Sequence, residues 1–182
     1  MRNYFVGLVF LLAVCFNGYG FERDVSPFHA VESNGIVHVK VHFGQNYRVA
    51  AQIPDNLEQY LVFSVQNDTL FIDTRPGQYG PVEFLVDVYA PTVDSITLSG
   101  TGNVVLDSGS GARLTVINNG IGSFDGSNYQ TSRATVSAGG GNIRIWAVDE
   151  LDATVFGVGS VYYYGDPELK AKRSGLGKIV KG

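Results

Sequence analysis

The sequence predicts an all-β protein whose C-terminal half is a right-handed parallel β-helix, a β-solenoid of about five rungs of 18–20 residues each. First, only 16% of the 182 residues are charged while 23 are glycine, a composition that favours strands joined by many tight turns. Second, short apolar runs alternate with polar residues at a period of two, which is typical of strands. Third, a Gly-x-Gly motif recurs five times in the second half of the chain. The right hand is the one that crossovers between parallel strands favour.

The N-terminal segment, residues 1–20, is predicted to be a secretory signal peptide. Arg2 precedes an apolar run at 4–16, and small residues up to Gly20 follow it. The apolar run is shorter than the roughly 20 residues that span a bilayer. Cys15 also has the outline of a lipoprotein cleavage site, although the residue before it is a valine where a small residue is needed. We expect export to the periplasm or cell surface of a bacterium, with a lipid anchor as the less favoured alternative.

Residues 21–182 are predicted to form one domain in two parts, with side-chain variety in 21–92 and repetition in 93–182. Period-2 runs predict strands in the first part at 36–43, 47–53, 61–65, 69–73 and 82–89. Turn residues between the first two runs, and between the next two, predict two β-hairpins. We expect these hairpins to flank or cap the solenoid, because an open end would expose strand edges.

The second part is built on the repeated Gly-x-Gly turn. Its glycines are Gly100, Gly102, Gly120, Gly122, Gly139, Gly141, Gly157, Gly159, Gly175 and Gly177. An apolar residue stands two positions after the second glycine of each copy: Val104, Phe124, Ile143, Val161 and Ile179. Rungs stacked about 4.8 Å apart would turn these residues into an inward ladder. We expect the glycines to be structural corner residues with positive φ, a conformation that glycine adopts at little cost.

Several motifs resemble those of one known family. Asn34-Gly35-Ile36 opens the first strand, 99–103 repeats a Ser-Gly-x-Gly-Asn turn, and 161–167 is similar to a closing Tyr-Tyr-Gly-Asn-Pro turn. In this order the motifs resemble the putative auto-transporter adhesin, head GIN domain family, over about residues 21–181. The resemblance implies a right-handed β-helix-like fold and an envelope location, and it implies little about activity. Arg173 departs from the pattern, because it stands where an apolar residue is usual.

Composition and motifs exclude several function classes. The formal net charge is −4, and no Lys/Arg cluster precedes the last thirteen residues, so nucleic acid is not an expected partner. No second segment is apolar enough to span a membrane. No Gly-x-Gly-x-x-Gly opens a helix and no Gly-Lys-Ser/Thr occurs, so no cofactor is expected. A calcium ladder needs Asp after the second glycine, but those residues are Asn103, Ser123, Asn142, Ser160 and Lys178.

Catalytic groups are sparse, and no catalytic or metal-binding residue is assigned. The only histidines are His29, His38 and His42. His38 and His42 would lie about 13 Å apart on one strand face, which is too far for one metal. Asp107 and Asp125 fall at nearly the same phase of successive rungs and could stack. They support the alternative of a polysaccharide-active enzyme, a lyase or hydrolase. The acids Asp149, Glu150 and Asp152 are typical of a solvated turn.

The most suggestive surface feature is the aromatic run Tyr162, Tyr163 and Tyr164, together with Trp146. Strand alternation should send Tyr163 to one face and its neighbours to the other. The exposed rings would stack on a sugar or contact a protein, or they would form a plug over the last rungs. The sequence therefore predicts a non-catalytic binding, adhesin-like or scaffolding module, with a glycan or envelope protein as partner.

Overall fold

The structure is a computed structural model that describes residues 20–77 and 82–182. The predicted signal peptide up to residue 19, including Cys15, lies outside the described residues. The described chain is all-β, with one 3-10 helix at Asp55–Tyr60. Its strands are Phe21–Asp24 (β1), Ala30–Ser33 (β2), Val37–Phe43 (β3), Arg48–Gln52 (β4), Leu61–Gln66 (β5), Thr69–Thr74 (β6), Phe84–Ala90 (β7), Ser95–Leu98 (β8), Val104–Leu106 (β9), Gly109–Asn118 (β10), Phe124–Ala138 (β11), Ile143–Val155 (β12), Val161–Tyr164 (β13), Glu168–Arg173 (β14) and Ile179–Lys181 (β15).

All these strands belong to one sheet, which is curled. The curl arises because β11 and β12 are long enough to pair with different strands at their two ends. One run of neighbours is β5–β6–β2–β8–β10–β11–β12–β14, and the other is β1–β4–β7–β3–β9–β11–β12–β13–β15. The two ends of each long strand therefore belong to two different columns of strands.

The repeat sets the register of the parallel pairs. Phe124 lies opposite both Val104 and Ile143, and Val161 lies opposite both Ile143 and Ile179. The predicted apolar ladder is confirmed: its first four residues are fully buried, and Ile179 at the end is partly buried. The ladder also continues beyond the repeats, since Val104 pairs with a residue of β3.

The core lies inside the curl and draws on both columns. The ladder supplies one side, and Leu114, Ala134 and Leu151, which stand in register on β10, β11 and β12, supply the other. Each large side chain that is fully buried stabilises the fold by about 1.5–3 kcal/mol. The alternation of buried and exposed residues along β12 follows directly, since successive side chains of a strand point to opposite faces.

One predicted hairpin is wrong and the other is confirmed. The runs at 36–43 and 47–53 do not pair, because β7 lies between β3 and β4 and β3 pairs in parallel with both β7 and β9. The alternate valines of β3 are all buried, which explains why this strand takes a central place. The second hairpin, β5 with β6, turns through Asn67 and Asp68, both with positive φ of 48° and 59°.

The two ends of the sheet differ. Antiparallel pairing among the described strands is confined to β1, β4 and β5 and their partners, at the end formed by the first half of the chain. At the other end, β14 has β12 as its one partner among the described strands, and every residue of β14 is exposed. Arg173 stands there in register with the buried Val155. In the described part of the chain, no helix has the length and apolar character needed to cross a membrane.

Candidate functional site

The Gly-x-Gly turns lie directly on one another, backbone against backbone. A Cβ atom on Gly102 would lie 1.6 Å from the carbonyl oxygen of Val37, and one on Gly122 would lie 1.8 Å from that of Gly102. A Cβ on Gly141 would meet the carbonyl oxygen of Gly122 at 1.6 Å. The first glycines are equally close, since a Cβ on Gly120 would lie 2.0 Å from the oxygen of Gly100. No side chain fits between turns at this spacing.

The expected positive φ at these glycines is wrong. Among the described glycines, only Gly165 lies in the left-handed region, with φ of 90°. The turn glycines are required by the close approach of neighbouring turns, which leaves no space for a Cβ, and not by an unusual backbone conformation. The same close approach continues into the first half of the chain, because a Cβ on Gly100 would lie 2.0 Å from the oxygen of Gly35.

The polar residues after the second glycines link one turn to the next. The Oδ1 atom of Asn103 accepts a hydrogen bond from the backbone N–H of Ser123 at 2.8 Å, and that of Asn142 accepts from Ser160 at 2.9 Å. The Ser160 hydroxyl accepts from the N–H of Lys178 at 2.9 Å. These are the oxygens that a calcium ladder would have needed, and each satisfies a backbone donor of the next turn.

The side chains between the paired glycines form an exposed ridge, which we call the turn edge. It comprises the stacked turns at 34–37, 99–103, 119–123, 139–142, 156–160 and 174–178. A shallow groove of about 480 Å³ lies at one end of the turn edge, beside Gly35, Gly100 and Gly120. Thr101, Ile121 and Asp73 of β6 are among the other residues that line it. The groove is open to solvent, so it suits a protruding side chain better than an enclosed small molecule.

The predicted tyrosine run divides between the two faces of β13. Tyr163 is opposite the buried Ile145 and packs against the core, whereas Tyr162 and Tyr164 lie on the outer face. Tyr164 is in register with Trp146, and their ring centroids are 6.4 Å apart. We call Trp146, Tyr162 and Tyr164 the aromatic strip. They share the outer face of two neighbouring strands, because residues two apart on a strand point the same way.

A guanidinium completes the aromatic strip. Arg144 lies opposite Tyr162, with its Cζ atom 5.7 Å from the centre of the tyrosine ring. Its Nη1 atom is 4.0 Å from Oδ2 of Asp125 on the next strand. Trp146 is 36% exposed, so part of its indole ring is open to solvent. Aromatic faces beside a hydrogen-bonding cation are chemically suited to a sugar or a polar protein segment.

The structure also brings together a polar cluster that sequence reasoning missed. His42 Nε2 lies 2.7 Å from Oδ1 of Asp87, and its Nδ1 lies 3.0 Å from Oδ2 of Asp107. Tyr89 stacks on the imidazole with ring centroids 4.8 Å apart. The hydrogen bond with His42 and the nearby charge of Lys40 hold the pKa of Asp107 below its ordinary value. The sequence held one indication of this cluster. The alternation of β3 places His42 on the outer face of the sheet, where side chains of the neighbouring strands can reach it.

This cluster is not arranged as a metal site. The carboxylates of Asp87 and Asp107 face different nitrogens of the His42 ring, so the three groups do not converge on one point. Over residues 20–77 and 82–182, no three His, Cys, Asp or Glu side chains are grouped to hold a metal ion. His38 makes a separate contact, 3.4 Å from the side-chain nitrogen of Asn103.

The acids considered for catalysis do not stack as expected. Asp125 is in register with Val105, not with Asp107, so the expected pairing of the two aspartates is wrong by two residues. Asp125 instead accepts a hydrogen bond from the Ser127 hydroxyl at 2.6 Å. Glu150 forms an ion pair with Lys170, whose hydrogen bond and charge hold the pKa of Glu150 below its ordinary value. These carboxylates are engaged by structural partners.

Comparison with known families identifies the chain. The family model described as putative auto-transporter adhesin, head GIN domain matches residues 27–109 and 100–167. The chain belongs to this family. The matched span runs from β2 to the turn after β13, and it includes the aromatic strip, the His42 cluster and most of the turn edge. A comparison with curated proteins found no significant match.

Three solved bacterial structures are similar to this chain to different degrees. A putative adhesin from Bacteroides fragilis is 17% identical, with a TM-score of 0.57 over 90% of this chain and 96% of that one. A putative adhesin from Parabacteroides merdae is 14% identical, with a TM-score of 0.48 over 91% and 97%. A protein from Parabacteroides distasonis described as putative lipid binding is 17% identical, with a TM-score of 0.43 over 91% and 98%. At these identities the likeness to the first structure supports the all-β fold alone.

Proposed function

We propose that this chain is an exported, non-catalytic binding module of the bacterial envelope, which holds a glycan or an envelope protein on its aromatic strip. In this proposal residues 21–182 form one domain whose repeats coil as a right-handed parallel β-solenoid. The glycines of the Gly-x-Gly motifs are structural residues of its turns. Membership of an adhesin family supports an envelope location, and the parallel pairing at intervals of one repeat supports the coil.

The aromatic strip is the observation that carries the proposed binding function. Trp146 and Tyr164 form one column of rings, while Arg144 and Tyr162 form the next column on the same face. These strands are held from both sides by parallel neighbours, so the rings are presented on a rigid surface at little entropic cost on binding. Planar rings spaced along strands suit the apolar faces of sugar rings, and the guanidinium supplies hydrogen bonds.

The partners of the acidic side chains support a binding module rather than a polysaccharide-active enzyme. An acid–base mechanism on a sugar needs two carboxyl groups about 5–10 Å apart that flank an open site, one of them with a raised pKa. Asp107 and Glu150 instead have lowered pKa values. Asp125 accepts a hydrogen bond from Ser127 of its own strand and faces Arg144.

The binding proposal is tested with a glycan array and with a pull-down from bacterial envelope extract, using the folded protein. Tyr162→Ala and Trp146→Ala should each weaken binding by about tenfold, which corresponds to about 1.4 kcal/mol, because each removes one stacking surface. Tyr162→Phe keeps the ring and should bind within about threefold of the wild type.

Leu85→Ala serves as a matched control, because Leu85 is exposed on the same sheet face but lies on β7, which β3, β9 and β11 separate from β12. It should bind as the wild type does. Binding that is unchanged in both Ala variants of the strip would contradict the strip as the site. The absence of any retained glycan or protein, with the chain folded, would contradict the binding function itself.

Export has its own test. In a bacterial host, the secreted or periplasmic product should begin at or close to Phe21, as N-terminal sequencing of the purified protein would show. Retention of the full N-terminus in the cytoplasm would contradict the proposed location.

A further inference from the structure

The middle residues of the stacked turns point apolar side chains into solvent. Ile121 is 73% exposed, Val158 is 67% exposed and Leu176 is 85% exposed. Ile36, at the corresponding place in the first turn, is 50% exposed. Scattered exposed apolar residues are ordinary, but several aligned on one edge mark a candidate contact surface. Because the turns hydrogen-bond to one another, these four side chains lie on one line along the turn edge, with Thr101 and Gly140 at the same place in the two remaining turns.

The turn edge is almost free of charge. Among the residues of its six turns, Lys178 is the only charged one, and its ammonium makes no ion pair within the described part of the chain. The other polar residues are asparagines, serines and a threonine. An uncharged edge with apolar tips fits a partner surface of the same kind better than it fits an anionic lipid surface, which attracts clustered lysines.

The two ends of the turn edge are complementary. The groove lies at the end of Ile36, and among the described residues that line it only Asp73 is charged. The opposite end carries the protruding Val158 and Leu176, with Lys178 beside them. Five steps between the first and last turns separate the ends by about 24 Å. Asp73 therefore cannot reach Lys178 within one chain, but the two would meet if a second copy lay antiparallel along the edge.

We propose that two copies of this chain associate through their turn edges, antiparallel and related by a two-fold axis. The axis passes between the turns of Ile121 and Gly140. Leu176 and Val158 of one copy then enter the groove beside Ile36 of the other, and Ile121 lies over Gly140, whose lack of a side chain leaves room for it. Such a contact is self-complementary, as a two-fold interface must be. The inference concerns a different surface from the aromatic strip and does not depend on it.

The size of the edge sets the strength of this association. A strip of about 24 Å by about 10 Å has about 240 Å² on each copy, so the contact buries on the order of 500 Å² in total, below the roughly 1,200 Å² of stable complexes. We therefore expect a weak dimer with a dissociation constant of about 10 μM to 1 mM. Sedimentation velocity from about 5 μM to 1 mM covers this range.

The first test uses the apolar tips. Val158→Asp and Leu176→Glu should each raise the dissociation constant at least tenfold, because each places a charge in an uncharged contact. Val148→Asp is the matched control. Val148 is also exposed, but it lies in β12 between the part that pairs with β13 and the part that pairs with β14, at the opposite bend of the curl. Val148→Asp should dimerise within threefold of the wild type.

The second test reports the antiparallel arrangement. Asp73→Lys and Lys178→Asp should each weaken the dimer, by placing like charges opposite one another, and the double exchange should restore it to within threefold of the wild type. Failure of the double exchange to restore association, with both chains folded, would overturn the antiparallel pairing.

Two other outcomes would overturn the inference as a whole. One is a wild-type chain that stays monomeric up to 1 mM. The other is a monomeric chain that binds phosphatidylcholine or phosphatidylglycerol vesicles and loses this binding with Leu176→Glu, which would assign the turn edge to a lipid surface.

Discussion

Replacing Gly141 by alanine adds a single methyl group at one of the two tightest contacts between described turns. The new Cβ would lie 1.6 Å from the carbonyl oxygen of Gly122 and 2.7 Å from the side-chain nitrogen of Asn118. Real Cβ atoms do not approach within 3.0 Å of other heavy atoms, so the two turns must move apart by more than 1 Å. The new methyl group also displaces the Asn118 side chain, whose Nδ2 donates a 2.7 Å hydrogen bond to the Gly122 oxygen, so that bond is lost.

Two effects of the Gly141→Ala substitution lower the free energy of unfolding. An added group in a closely packed region costs about 1–3 kcal/mol. A fully buried amide that loses its partner, here Asn118, costs about another 1–3 kcal/mol. We expect Gly141→Ala to lower the free energy of unfolding by about 4 kcal/mol, a large share of the 5–15 kcal/mol of an ordinary domain. For a chain of this size that lowers Tm by about 8–16 °C.

Differential scanning calorimetry or urea unfolding measures this effect. Gly44→Ala is the matched control, because a Cβ at Gly44 has no heavy atom within 4 Å. It should change the free energy of unfolding by less than about 1 kcal/mol, with either sign. A Gly141→Ala protein that melts within about 2 °C of the wild type would refute the close stacking of the turns.

Three further predictions test other parts of the structure. Phe124→Ala should lower the free energy of unfolding by about 3–5 kcal/mol, since Phe124 is fully buried, and Val105→Ala should have little effect. Asp107→Asn should destabilise by less than about 1 kcal/mol at pH 7, because the carboxylate is partly exposed. Since the folded pKa of Asp107 lies below 3.8, this loss should persist above pH 3.8 and disappear as the pH falls below the folded value; a loss that grows with acid would contradict it. Amide hydrogen exchange should be fastest in β14 (Glu168–Arg173), whose residues are all exposed at the sheet end; protection equal to that of β12 would contradict this.

The repeat could be read from the sequence because it is local. Each Gly-x-Gly turn, with the apolar residue that follows it, recurs at an interval of 18–20 residues. This interval determines the parallel register of Phe124 with Val104 and Ile143. The reason for the glycines could not be read in this way. A glycine at positive φ and a glycine pressed against a neighbouring carbonyl look alike in sequence, and only the stacking of turns distinguishes them.

The order of strands in the first half depends on distant pairings. Local alternation marked β3 and β4 as strands, but it could not show that β7 enters between them. The sequence did hold one sign that the first half of the chain continues the stack of turns. Asn34-Gly35-Ile36 is a sixth turn of the same stack that keeps only the first glycine, with Val37 in the place of the second, under Gly102.

The His42 cluster could not be predicted from the sequence for the same reason, because it depends on distant strand pairings. Asp87 and Asp107 lie 45 and 65 residues from His42 in sequence. Their meeting depends on β3 lying between β7 and β9, an order that no motif records. The aromatic strip was easier to anticipate, because Tyr162 and Tyr164 are consecutive outward positions of one strand.

The most direct test of the proposed function measures binding and cleavage in the same sample. The folded chain is incubated with the envelope polysaccharide or extract that it retains, and both the bound fraction and newly formed reducing or unsaturated ends are quantified. Our account predicts retention that falls about tenfold with Tyr162→Ala, without new chain ends. Chain ends that accumulate with time and disappear with Asp125→Asn would contradict it and identify the chain as an enzyme.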